Sequence, residues 1–286
     1  MRNIGQMLKD LVRQNHVLLE ILEKDYALSY LILAIAKTPG LGNQIVLKGG
    51  TALRKVYLPD YRFSEDLDYS TIQLGPLADC EKTMEVASQQ MMELLHQEGP
   101  FTVLLEPLIL PRPHPGEQAA YWIRVQFPYH RQPLCRLKVE ITIDEPILLP
   151  IMYKNILHAY DEQLAAQVGV YDLREIVVEK LRTLLQVKRK LSERGWGASR
   201  VCRDYYDLWS ILKHENLMEG QIPELLVEKC KVRDVTFKSP SDFISSDLID
   251  IARRQWRQLL LPFVPDAPHA EQVLSEVQPL IFALWD

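Results

Sequence analysis

From Leu137 to Asp144 the chain alternates between apolar and polar side chains. A period of two belongs to a β-strand, and it sorts the residues onto two faces. Leu137, Val139, Ile141 and Ile143 share one face, and Lys138, Glu140, Thr142 and Asp144 share the other. The alternating strand is read from Leu134 to Asp144. Two more strands are expected before it, Phe101 to Leu110 and Tyr121 to Phe127, with Pro128 to Pro133 suited to a hairpin. Earlier still, Ile45 to Lys48 and Leu67 to Ile72 read as short strands. Most of the remainder has helical spacing. Residues 6–37 form helices, with Glu23-Lys24-Asp25 as an interruption. Thr51 to Tyr57, Lys82 to Gln97, Leu173 to Leu191, Arg203 to His214, Ile222 to Lys231 and Leu248 to Leu260 follow. Pro146 and Pro150 punctuate the chain, and a lobe boundary is placed near residue 165. The expected fold is α+β: a mixed β-sheet core flanked by helices over residues 1–165, and a mostly helical C-terminal lobe over 166–286.

Composition narrows the function classes. With 47% hydrophobic and 25% charged residues, the chain is neither disordered nor of low complexity. Cys80, Cys135, Cys202 and Cys230 lie far apart without a C-x-x-C pair, which fits a reducing cytosol better than a zinc knuckle or disulfide scaffold. The longest apolar run, Tyr26 to Ala36, is too short for a bilayer, so no membrane partner is expected. The opening Met1-Arg2-Asn3-Ile4 begins a polar amphipathic segment, not a signal peptide. The net charge of −5 conceals an asymmetry: Arg182 to Arg203 sums to +6, leaving −11 elsewhere. That basic segment can receive a phosphate backbone or simply form a solvated helix face.

Three pieces carry chemistry. Strand, Gly49-Gly50, helix is a turn in which glycines let the backbone approach a ligand and the helix start offers N–H groups to phosphate. A plain turn is the structural alternative. Asp66 and Asp68 are two apart at a strand start, so both face the same way. Paired carboxylates repel unless a cation such as Mg²⁺ lies between them; otherwise they form a solvated strand end. Glu140 supplies a third carboxylate from the polar face of the alternating strand, with Asp144 as the alternative. Three such groups suit a two-metal phosphoryl-transfer site.

Further along, Leu173, Ile176, Val177, Leu181, Leu184 and Leu185 make an apolar stripe that Lys180 interrupts. A lysine on a buried face needs an anion. A triphosphate meets that need, and so does Asp204 or Asp207, which share one helix face. The alternative is a snorkelling side chain.

The glycine turn, Asp-x-Asp and later acid together resemble a nucleotidyltransferase of the polymerase-beta type. Lys48-Gly49-Gly50-Thr51-Ala52-Leu53 followed by Arg62-Phe63-Ser64-Glu65-Asp66-Leu67-Asp68 is similar to the AbiEii toxin family, which includes the MenT-type toxins. Leu22-Glu23-Lys24-Asp25-Tyr26, Val178-Glu179-Lys180-Leu181 and Arg203-Asp204-Tyr205-Tyr206-Asp207-Leu208 extend the likeness over roughly residues 20–210. Trp196 to Cys202 matches no part of that pattern.

The resemblance implies a nucleotidyltransferase-like core and a cytoplasmic toxin of a bacterial toxin–antitoxin system. Such a toxin uses Mg²⁺ and a nucleoside triphosphate to add nucleotides to RNA, above all the tRNA 3′ end, and so blocks translation. Its partner is a winged-helix antitoxin and repressor. The implied roles are catalysis by Asp66, Asp68, Glu140, Lys180 and Asp207, with Asp66, Asp68 and Glu140 on the metal. Nucleotide binding is implied for Lys48, Gly49, Gly50, Thr51, Ser64, Lys180 and Asp204. In this family the serine at the place of Ser64 can be phosphorylated to silence the toxin; capping or turn hydrogen bonding is its structural alternative. Lys188, Arg189, Lys190 and Arg194, from the basic segment, are the expected RNA contacts. Two other readings keep the residues but change the outcome: a protein or aminoglycoside-like acceptor, or a non-catalytic nucleotide-binding module.

Overall fold

The computed structural model describes residues 3–109, 118–194, 200–215, 217 and 221–285. The expected strand end at Leu110 and residues 196–199 of the Trp196 to Cys202 run lie outside them. The chain divides into two compact units, Met1–Tyr171 and Asp172–Asp286, so the boundary falls after Tyr171 and not near residue 165.

The first unit opens with α1 (Ile4–Asn15) and α2 (Leu19–Lys37). The interruption expected at Glu23-Lys24-Asp25 does not occur, because the buried acids have partners. Asp25 takes Arg54 Nε and Lys55 Nζ, each at 2.7 Å, and accepts the Tyr160 hydroxyl at 3.0 Å. Burial alone would raise the Asp25 carboxyl, but the two cations outweigh it and hold it far below the usual carboxylate range. Glu23 accepts the Tyr129 hydroxyl at 2.6 Å and lies 3.0 Å from His130 Nε2.

Next come β1 (Ile45–Lys48) and α3 (Gly49–Ala52), which widens into a π turn over Leu53–Tyr57. They are followed by β2 (Asp66–Thr71), α4 (Cys80–His96), β3 (Thr102–Pro107), β4 (Gln118–Gln126), β5 (Cys135–Thr142), β6 (Met152–Asn155) and β7 (Gln167–Val170). The seven strands form one mixed sheet in the order β3-β4-β5-β2-β1-β7-β6. Antiparallel pairs flank a parallel β2–β5 pair, while β7 joins β1 in parallel. The alternation in β5 is realised: Leu137, Val139 and Ile141 are buried, while Lys138 and Glu140 are half-buried on the opposite face. Asp144 falls in a bend beyond Thr142 and is no longer a strand residue. The sequence reading missed β6 and β7 because each has four residues and, unlike the apolar Ile45-Val46-Leu47 of β1, interleaves polar residues or glycine. Since β7 is a strand of the sheet, the first unit must run to its end.

The second unit contains α5 (Leu173–Arg194), α6 (Val201–His214), α7 (Ile222–Val232), α8 (Ser246–Gln255) and α9 (Ala270–Phe282). The α5 stripe is buried from Ile176 to Leu185 as its spacing requires, apart from Lys180, and Leu173 at the helix start is half-buried. Buried Lys229 ties α7 to α5 through Glu175 at 2.8 Å. Among the described residues no helix is long and apolar enough to cross a membrane.

Candidate active site

Strand register builds the site. In β1–β2, Lys48 pairs with Asp68; in β2–β5, Asp68 pairs with Glu140 and Asp66 with Lys138. Directly opposed residues project from the same face of a sheet. Three neighbouring strands therefore bring Lys48, Asp66, Asp68, Lys138 and Glu140 onto one face. The sequence reading treated Lys138 only as a polar-face residue, yet it stands across from Asp66 inside the acidic cluster.

Local backbone chemistry explains the glycines. Gly49 has φ +72°, a left-handed conformation that favours glycine, and a Cβ there would fall 2.7 Å from Asp68 Oδ2. Gly49 thus lets the Asp68 carboxylate lie against the backbone of the turn. A Cβ at Gly50 would fall 2.6 Å from Arg62 Nη2. Arg62 is buried, and its guanidinium covers the second glycine. Thr51 Oγ1 donates to the Asp66 carbonyl at 2.5 Å, tying the glycine turn to the start of β2. The two blocks that are adjacent in the sequence pattern are therefore bonded in space.

Both oxygens of Glu140 are engaged. Lys138 Nζ lies 2.8 Å from Oε2, and Gln118 Nε2 donates to Oε1 at 2.9 Å. Among the described residues no group of three His, Cys, Asp or Glu side chains is arranged to hold a metal ion as it stands. The donors themselves fit Mg²⁺: they are hard carboxylate oxygens, two on β2 and one directly opposite on β5. Lys48 is buried, with Nζ 3.8 Å from Glu145 Oε2 and 5.6 Å from the centre of the Tyr171 ring. Ser64 lies half-buried in the loop before β2, and its neighbour Glu65 pairs with Lys24 at 3.0 Å.

The family model described as nucleotidyl transferase AbiEii toxin, type IV TA system, matches residues 31–276. The chain belongs to the AbiEii nucleotidyltransferase toxin family. It is also similar to the solved structure of MenT4, a nucleotidyltransferase toxin from Mycobacterium tuberculosis H37Rv. That match has a TM-score of 0.62 at 20% identity, and it covers 94% of this chain and 85% of MenT4. At that identity the likeness speaks for the fold. No curated protein matches the chain.

The remaining expected residues of this AbiEii chain lie in the second unit. Lys180 Nζ is 2.9 Å from Asp204 Oδ1 and 2.6 Å from Asp207 Oδ2, and Asp207 is fully buried. Of the partners open to Lys180 in the sequence, the two aspartates are in place. Arg203 donates from Nε to the Leu259 carbonyl at 2.7 Å, with its guanidinium 3.8 Å from the centre of the Phe263 ring. The Arg-Asp-x-x-Asp block therefore fastens α6 on two sides.

The basic segment is less free than its charge suggests. Lys188 pairs with Asp242 at 2.6 Å, and Arg189 donates to the Arg233 and Asp234 carbonyls. Lys190 is half-buried, and Arg194 is exposed at the end of α5.

The sequence reading missed the roles of Gln118, Lys138 and Glu145, and it placed Arg62 in a motif without a role. Lys138 was detectable, because it shares the polar face of β5 with Glu140. Gln118 and Glu145 carry no such signal, because only tertiary contact brings them to Glu140 and Lys48.

Proposed function

We propose that this AbiEii toxin transfers a nucleotide from a nucleoside triphosphate to RNA, with the tRNA 3′ end as acceptor. It acts in the cytoplasm with Mg²⁺, inhibits translation and is restrained by a winged-helix antitoxin. The observation that carries this reading is the strand register that sets Asp68 opposite Glu140, with Asp66 two residues before Asp68 on the same face.

Asp66, Asp68 and Glu140 would hold Mg²⁺, which would neutralise charge on the attacking and leaving oxygens when bound. The chain's own residues do the rest. Gly49 and Gly50 let the backbone approach the phosphates, Lys48 adds a buried positive charge beside them, and Thr51 keeps the turn fixed to β2. Ser64 stands just before Asp66 and contributes to nucleotide binding; its phosphorylation would add negative charge beside the carboxylates and oppose a triphosphate. Lys180, with Asp204 and Asp207, is assigned to nucleotide use as well. RNA contact is assigned to Lys188, Arg189, Lys190 and Arg194.

One observation favours a second acceptor. Lys188 and Arg189 are already engaged with Asp242 and with carbonyl groups, which leaves less positive charge for RNA. A protein or small-molecule acceptor needs no such charge. Incubation with each α-labelled nucleoside triphosphate, Mg²⁺ and total cellular RNA separates the two. Label in a tRNA band supports the RNA reading. Label only in protein or small-molecule fractions moves the function to the second acceptor, and no label in any fraction refutes transfer.

A further inference from the structure

Lys138 occupies an unusual place. It is directly across from Asp66 in the β2–β5 register, and its ammonium is 2.8 Å from Glu140 Oε2. Glu140 is in turn directly across from Asp68. Two strands thus present three carboxylates and one ammonium on one face. Like charges directly opposed across strands destabilise a sheet. Asp68 and Glu140 are such a pair; Lys138 meets Glu140 directly, and Lys48 stands across from Asp68 on β1. Neither partner is deeply buried, with side-chain exposures of 26% for Lys138 and 17% for Glu140. The contact can therefore open without stranding a charge away from water. Gln118 meanwhile holds the other oxygen of Glu140 at 2.9 Å, so the carboxylate stays in place when Oε2 changes partner.

We propose that Lys138 is a resident counter-cation of the carboxylate cluster, which competes with the divalent cation for Glu140 Oε2 and so sets the cation concentration at which the third carboxylate engages. This rests on the reading of Asp66, Asp68 and Glu140 as the metal-binding set, and it adds a tuning residue to that set. In the cation-free state the ammonium steadies the three acids. On loading, Oε2 leaves Lys138 for the cation while Gln118 keeps its hold on Oε1. Lys138 therefore stabilises the unloaded protein and weakens cation binding, two effects that a purely structural salt bridge would not couple.

The test uses the full chain and calorimetric titration with Mn²⁺ or Mg²⁺ without nucleotide, comparing wild type with Lys138→Gln, Lys138→Met and Lys138→Arg. Lys138→Gln keeps a hydrogen-bond donor for Glu140 but removes the charge, so it serves even if Lys138→Met does not fold. The charge-removing variants should bind the cation about tenfold more tightly, the size expected for removing one unit charge roughly 6 Å from a divalent ion at a water-like dielectric. Lys138→Arg should stay near wild type. In chelator, Lys138→Gln should melt below wild type, and added cation should raise its melting temperature more than it raises that of wild type. Unchanged or weaker cation binding by Lys138→Gln, with wild type binding normally, overturns the role of Lys138 alone. Wild type that binds no divalent cation overturns the metal-binding set and this inference together.

Discussion

Two acidic motifs in this chain look alike on paper and differ in the folded molecule. Asp66-x-Asp68 lies on a sheet face with Glu140 opposite and Lys138 as the neighbouring cation, a cluster in which acids outnumber bases. Asp204-x-x-Asp207 grips one lysine, Lys180, at 2.9 and 2.6 Å, with Asp207 wholly buried. The first arrangement sets three carboxylates on one sheet face, and Asp66, Asp68 and Glu140 keep some contact with water. The second brings one ammonium onto two carboxylates inside a helical unit. Acidic spacing alone does not show how a carboxylate is held; Asp66 and Asp68 are half-buried on the sheet, whereas Asp207 is wholly buried against Lys180.

Substitutions can break this contrast. The largest effect is expected from Asp66→Ala. Losing a metal-binding carboxylate removes several kcal/mol of transition-state stabilisation, so transfer should fall by roughly a thousandfold or more. Its melting temperature should hold or rise slightly, because one of several repelling carboxylates is gone. Label transfer and thermal melting, measured on the same preparation, check both halves. A large drop in melting temperature would place Asp66 with the fastenings.

Lys180→Ala should behave in the opposite way. It leaves Asp207 buried without its closest cation, and breaking a buried pair costs about 3–5 kcal/mol. Denaturant unfolding should show that loss. The double variant Lys180→Met, Asp207→Leu should recover much of it. If the double variant regains stability but not nucleotide affinity, Lys180 acts on the triphosphate as well as on its aspartates.

Asp25 sharpens the contrast within the first unit. Its folded value lies below the unfolded value of 3.8, so the stabilisation it provides is complete above that value. It is lost as pH falls through 3.8 and below. Asp25→Asn should lower stability by about 3 kcal/mol at neutral pH and flatten the acid limb of the stability curve. Denaturant unfolding repeated from pH 7 down to pH 3 measures this, and parallel curves for wild type and variant would contradict it.

The smallest effect concerns RNA. Arg194→Glu should reduce the slope of log affinity against log salt by about one unit, with no change in melting temperature. Lys188→Glu and Arg189→Glu should instead lower the melting temperature, because both side chains hold the segment around Asp234 and Asp242. Equal salt slopes for wild type and Arg194→Glu would remove that residue from the acceptor contacts.

The sequence showed the parts of this molecule that obey a local period or a close spacing. The alternation in β5 names the face that carries Glu140, and Asp66-x-Asp68 puts two carboxylates side by side. The Lys48 to Leu53 and Arg62 to Asp68 blocks pointed to the AbiEii family. What stayed hidden depends on contacts between distant positions. Glu23 and Asp25 looked like a helix break because polar residues on a buried helix are costly, and their partners lie elsewhere, at Arg54, Lys55, Tyr129 and Tyr160. β7 was overlooked because Gln167-Val168-Gly169-Val170 offers no apolar run like that of β1, and the first unit runs to Tyr171 just beyond it. Lys138 was in view on the right face, but only strand register shows that it stands opposite Asp66.

The central claim is that the carboxylate cluster on the sheet performs the chemistry. Its most direct test is single-turnover transfer of label from an α-labelled nucleoside triphosphate by Asp68→Asn, which preserves shape and removes one charge. The account predicts that Asp68→Asn melts like wild type, binds divalent cation much more weakly and transfers no detectable label. Transfer by Asp68→Asn at the wild-type rate would contradict it.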